Sequence, residues 1–246
     1  MNLFAEALRW IVDPSHWTGG PDISGHLLEH LSVSAYCVVI AVAIALPIGV
    51  MIGHTGKGRG AAILISNVAR ALPTLGLLSI LILLFGIGLL PITIVLVILA
   101  IPPMLAGAYA GVESVDKQTV DAARALGMSE LQIIFRVEIP LAAPLLIGGL
   151  RATALQVIAT LAIASAFAFG GLGIYLIEGL ATGDYVQLLA GAILITVLAL
   201  IVDGALAVVQ RFVVPRGVAL GRTDPNGHQK RARAPRPRVL QEGMQS

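Results

Sequence analysis

Two uncharged stretches of about twenty residues constrain this chain most: Ala71–Leu90 and Ala152–Gly171, each preceded by a lone arginine, Arg70 and Arg151. At ~1.5 Å of rise per residue, twenty helical residues cross the ~30 Å hydrocarbon core of a bilayer. A backbone in lipid must satisfy its own hydrogen bonds, so such runs are read as helices. Leu31–Ile52, Pro91–Tyr109 and Val186–Phe212 are three further apolar runs. With 57% hydrophobic and 12% charged residues, the chain lies outside the range of water-soluble domains. The expectation is an all-α polytopic membrane protein. Five transmembrane helices occupy residues 31–212, flanked by an outer segment, 1–30, and a tail, 213–246.

Glycine and proline punctuate the spans. Phe85-Gly86-Ile87-Gly88 reads as a very short turn between the second and third spans, and Gly170-Gly171-Leu172-Gly173 as the break after the fourth. Ile174–Leu180 then forms a short interfacial helix, and Gly183-Asp184 turns into the fifth span. Pro73 interrupts the second span, and Pro102-Pro103 the third. Each removes a backbone donor and kinks a helix, either to shape a pathway or only to fit packing.

Charge orients the spans. Of sixteen Lys and Arg, only Arg9 precedes the first span, and none falls near Gly86 or Glu178. Lys57, Arg59, Arg70, Lys117, Arg124, Arg136, Arg151 and the C-terminal set share one side, which the positive-inside rule makes cytoplasmic. The N-terminus is then outside. Leu3, Phe4, Ala7, Leu8 and Ile11 share a helical face near Trp10 and Trp17, the pattern of an interfacial helix. The single cysteine, Cys37, leaves no disulfide within the chain.

The charged segment 113–140, ESVDKQTVDAARALGMSELQIIFRVEIP, lies between these greasy runs. Asp116 is placed to cap a helix that runs through Val120, Ala123 and Leu126 to a left-handed Gly127. Ser129 and Gln132 make a capping-box pattern for a second short helix, which Pro140 is expected to close. The result is a rigid amphipathic elbow at the membrane surface. Asp121-Ala122-Ala123, Gly127 and Val137-x-Ile139-Pro140 together resemble the EAA loop of ABC-importer permeases, with Asp121, Val137 and Ile139 as conservative departures.

That resemblance implies the type I permease fold and an elbow that docks on a separate ATPase through Asp121, Ala122, Ala123, Gly127, Ser129, Glu130 and Pro140. ATP would be bound by that partner, so no catalytic residue and no cofactor is expected here. RALPTLGLL (70–78), VDAARALGM (120–128), VEIPLAAPLLIGGLRATALQVIATL (137–161) and GGLG (170–173) resemble the permeases of osmoprotectant importers, which carry glycine betaine, choline, carnitine or proline-type solutes. The implied partners are an extracytoplasmic substrate-binding protein and a second permease, identical or sister, in a prokaryotic cytoplasmic membrane. A quaternary ammonium is best held by an aromatic cage, and 5% aromatic residues leave recognition to the binding protein. The alternatives are an importer for another small solute, amino-acid or alkanesulfonate-like, and an ATPase-independent secondary transporter.

Three features stand apart from the resemblance. Asp203 is the only acid well inside a span, either paired with Arg70 or Arg151 or facing an aqueous vestibule. His26-x-x-Glu29-His30 has the order of one zinc-protease class, but it abuts an apolar span and lacks a third ligand, so no metal site is expected. The Pro-rich basic tail, with RTDPNGHQKRARAPRPR, is expected to be disordered and able to meet lipid headgroups. It lacks the aromatic platform of a nucleic-acid binder.

Overall fold

Asp22 starts the first long helix by accepting from Gly25 N–H at 2.8 Å, and Gly56, at φ 68°, ends it. The computed structural model describes residues 2–18, 22–167 and 169–213; the expected basic tail from 214 onward lies outside them. A short helix α1 (Leu3–Val12) precedes α2 (Ile23–Thr55). Helix α2 has 33 residues, ~50 Å, so it outreaches the hydrocarbon core at its ends. The His26–His30 segment is therefore helical rather than an interfacial turn. Helices α3 (Arg59–Ala71), α4 (Thr74–Phe85), α5 (Leu89–Glu113), α6 (Lys117–Ala125), α7 (Glu130–Ile133), α8 (Ile139–Ala164), α9 (Ile174–Thr182) and α10 (Tyr185–Val213) follow. Among the described residues every regular element is helical, and four helices are long and apolar enough to cross a membrane. The bent pair α3–α4 adds a fifth if its two halves are counted as one span.

The expected second span, 71–90, is not one helix. Helices α3 and α4 meet at 85°, with Leu72 extended and Pro73 at the N-cap of α4. Proline disfavours helical geometry in the residue before it, so the chain breaks here instead of kinking. Helix α4 is 12 residues, ~18 Å, too short to cross alone. Pro102 and Pro103 do not interrupt the third span: α5 runs through both, and Pro102 is buried within the bundle. Neighbouring helices support such positions in a membrane helix.

Pro140 does not close the second elbow helix either. A π-helical turn, Ile134–Glu138, joins α7 to α8, and Ile139 N–H reaches back to Ile134 O. The wider turn lets the backbone pass the missing proline donor, so helix extends from Glu130 to Phe167 over 38 residues. Arg151 consequently stands in the interior of α8, about 18 Å beyond its start. The turn Gly86–Gly88 and the short helix α9 lie where the sequence places them.

Helix α5 occupies the centre and packs on α2, α3, α4 and α8. Small residues let the backbones meet. A Cβ on Gly107 would stand 2.6 Å from Gly149 Cα, and one on Gly53 would stand 2.8 Å from Tyr109 O. Lipid supplies no hydrophobic drive between helices, so close contact of this kind carries the association. Gly107→Val should therefore cost about 1–3 kcal/mol and lower the thermal midpoint of the detergent-solubilised protein. Gly148→Ala, one residue from the crossing and with open space at its Cβ, should leave it unchanged.

Candidate functional site

The elbow is fastened by its own backbone. Asp116 Oδ1 accepts from Gln118 N–H at 2.9 Å and opens α6. At the other end Gly127, φ 83°, donates to Arg124 O, and Met128 donates to Ala123 O. This paired closure needs a left-handed residue, which glycine adopts without strain. Ser129 and Gln132 then cap α7 reciprocally: Ser129 N–H donates to Gln132 Oε1 at 2.9 Å, and Gln132 N–H to Ser129 Oγ at 3.4 Å.

Side chains brace the two helices against each other. Arg124 forks onto Glu130, with Nε 2.8 Å from Oε1 and Nη2 3.0 Å from Oε2, while its Nη1 meets Asp121 at 3.0 Å. The hydrogen bonds to Glu130 push the Arg124 guanidinium further above its ordinary pKa. Glu130 also meets His54 Nε2, at the end of α2, at 3.2 Å. The other ring nitrogen of His54 lies 2.8 Å from Glu138, which is 4% exposed.

The elbow presents Asp121, Ala122, Leu126, Leu131 and Phe135 to the outside. Leu126 is 84% exposed, although it sits on the apolar face expected of α6. Ala123 is buried instead, packed inward beneath the elbow. Its small side chain lets α6 lie on its own chain, while Ala122 is the one offered outward. Leu131, Phe135, His54 and Glu138 were not singled out in the sequence. The exposed pair, four positions apart, had its signal in the apolar residues themselves, whereas the His–Glu contact spans 84 residues.

A second cluster joins α8 to α10. Arg151 meets Asp203 in bidentate fashion, at 2.8 and 2.7 Å, and its Nη1 donates to Gln210 Oε1 at 3.1 Å. Gln210 in turn donates to Pro144 O at 3.0 Å. A planar guanidinium matches a carboxylate in this way, and pairing offsets the cost of placing either charge in a span. Arg70 is exposed and has no side-chain ion pair among the described residues.

Of the His26–Glu29–His30 trio, Glu29 and His30 serve the Gly170–Gly173 turn. Gly171 N–H donates to Glu29 Oε2 at 2.8 Å, Leu172 N–H to His30 Nδ1 at 3.3 Å, and His30 Nε2 lies 3.1 Å from Ile158 O. These bonds hold the Gly170–Gly173 turn against α2. Among the described residues, no three His, Cys, Asp or Glu side chains are grouped to hold a metal.

Comparison with known proteins agrees with this architecture. Residues 45–215 match the family described as binding-protein-dependent transport system inner membrane component, and the chain belongs to that family. It is 35% identical to the glycine betaine/carnitine/choline transport system permease protein OpuCB of Bacillus subtilis (strain 168), over 82% of this chain and 93% of that one. It is 34% identical to the carnitine transport permease protein OpuCB of Listeria monocytogenes, over 77% and 87% respectively. Among solved structures, an inward-facing MetNI methionine ABC transporter superposes with a TM-score of 0.70 at 22% identity, covering 78% of this chain and 96% of that one. The fold is thus that of MetI-like permeases.

The α8–α10 cluster makes a specific expectation. Asp203→Asn should lower the yield of folded protein in membranes, because Arg151 loses its counter-charge. Exchanging the pair, Arg151→Asp with Asp203→Arg, should restore part of that yield by quantitative membrane immunoblot.

Proposed function

We propose that this chain is the permease subunit of an ATP-driven importer for a compatible solute of the glycine betaine, choline, carnitine or proline type. The observation that carries the reading is the coincidence of two things: similarity to relatives named for such solutes, and a rigid elbow with an outward face of Asp121, Ala122, Leu126 and Leu131. A partner ATPase docks on that face, hydrolyses ATP and drives the bundle. A binding protein delivers solute from the other side, and a second permease, identical or sister, completes the pathway. The chain itself needs no cofactor.

Orientation follows from the charge distribution: the elbow and α10's end face the cytoplasm, and α9 faces outward. A pathway poor in aromatic side chains conducts a quaternary ammonium without trapping it, and selection rests with the binding protein.

Two measurements test the reading. In a Cys37→Ser background, Ser129→Cys should react with a membrane-impermeant maleimide only after permeabilisation, and Gly183→Cys should react in intact cells. Reaction at Ser129→Cys in intact cells would remove the ATPase from reach and sink the proposal. Ala122→Trp or Leu126→Asp should leave membrane levels near wild type while abolishing co-purification of the ATPase and ATP-coupled glycine betaine uptake. Intact uptake in both variants would make the elbow a passive connector.

A further inference from the structure

We propose that His54 is a positioning residue that transmits movement of the elbow to α2, a role that rests on the ATPase-docking reading above. Helix α2 is remote in sequence from the elbow, which adjoins α5 through Ser114–Asp116 and merges into α8 through the π turn. Movement of the elbow therefore reaches α5 and α8 along the chain. Its only side-chain hydrogen bonds to α2, among the described residues, are those of His54.

The geometry of that contact is two-handed. Nδ1 lies 2.8 Å from Glu138 Oε2 on the π turn, and Nε2 lies 3.2 Å from Glu130 Oε2 on α7. An ionised carboxylate only accepts, so the ring satisfies both partners when both nitrogens carry protons. A cation is also favoured in the last turn of a helix, where His54 stands.

The surrounding charges compete with His54 for Glu130, which Arg124 also holds, and leave Glu138 to His54. From α3, Arg59 is engaged with Glu113 of α5 at 2.6 Å. On α6, Arg124 is engaged with Asp121 and Glu130. Lys117 of α6 lines the same cleft of about 280 Å³ but forms no ion pair among the described residues. Glu138, 4% exposed, has His54 as its one side-chain hydrogen-bond partner among the described residues. A buried carboxylate held by a single residue of another helix makes a stiff joint, since separation leaves the charge unpaired. The π turn that carries Glu138 is also a common element at working sites in helices.

Removing His54 alone strands Glu138 and can harm folding, so the informative variant is His54→Ala with Glu138→Gln, which takes away the joint and the bare charge together. The complex with its ATPase and binding protein would be reconstituted in liposomes, and glycine betaine uptake measured against ATP hydrolysed. The expected result is an assembled complex whose uptake per ATP falls about fivefold or more, with His54→Arg, which places a donor to both carboxylates, recovering most of the ratio. A wild-type ratio in the double variant would overturn the proposal, because the pair would then serve folding alone. Loss of the ATPase from the double variant would overturn it too, placing His54 in assembly rather than transmission. If the wild-type chain retains no ATPase or moves no glycine betaine, the functional reading above fails instead.

Discussion

Contact between backbones at the faces of α5 is the constraint on which the rest of the structure depends. In lipid, burying leucine against leucine gains little, since the solvent is itself hydrocarbon; what helices gain is close packing. Gly49 and Gly53 of α2 approach Ala108, Tyr109 and Val112 on one side of α5, while Gly107 and Gly111 approach Gly149, Ala142 and Leu145 of α8 on the other. Helix α5 is thereby held between two neighbours at distances that larger side chains would forbid. The broken pair α3–α4 and the peripheral helix α10 are arranged around this three-helix centre.

Polar groups are then spent at its edges. Arg151 and Asp203 fasten α10 to α8, with Gln210 and Pro144 O closing the cluster. At one end, Glu29 and His30 hold the glycine turn that follows α8. At the other end, His54 reaches the two glutamates of the elbow. Each contact joins residues far apart in sequence, and each holds a place where the chain changes direction or two helices would otherwise slide.

How much of this was legible depends on whether the cause is local. The caps at Asp116 and Ser129 and the glycine at 127 act within a few residues, so their pattern could be read directly. The apolar helices and the short helix α9 follow from apolar length and glycine turns, and these too were legible, but the second apolar run is a bent pair that counts as a crossing only if taken as one span. Proline was not. The same residue breaks the chain at Pro73, passes inside a helix at Pro102 and Pro103, and rides over a π turn at Pro140; packing decides among these outcomes. The inward rotation of Ala123 escaped for a similar reason, since it depends on where α6 lies against its own chain. The role of His30 was hidden because its partners, Ile158 and Leu172, lie more than a hundred positions away. The four-residue repeat Ala41, Ala45, Gly49, Gly53 was the available signal for the α2 seam, being what a tight helix crossing leaves in a sequence.

The uninterrupted helix from Glu130 to Phe167 has a mechanical consequence. Its tightest crossing, at Gly149, lies near its middle, with about 28 Å of helix on either side of it. A stiff rod held at its midpoint is a lever with nearly equal arms and its fulcrum at a pair of glycines. A rigid tilt of the helix about that point would carry its two ends through similar distances in opposite directions, so the elbow and the Gly170–Gly173 turn are the two ends of one lever.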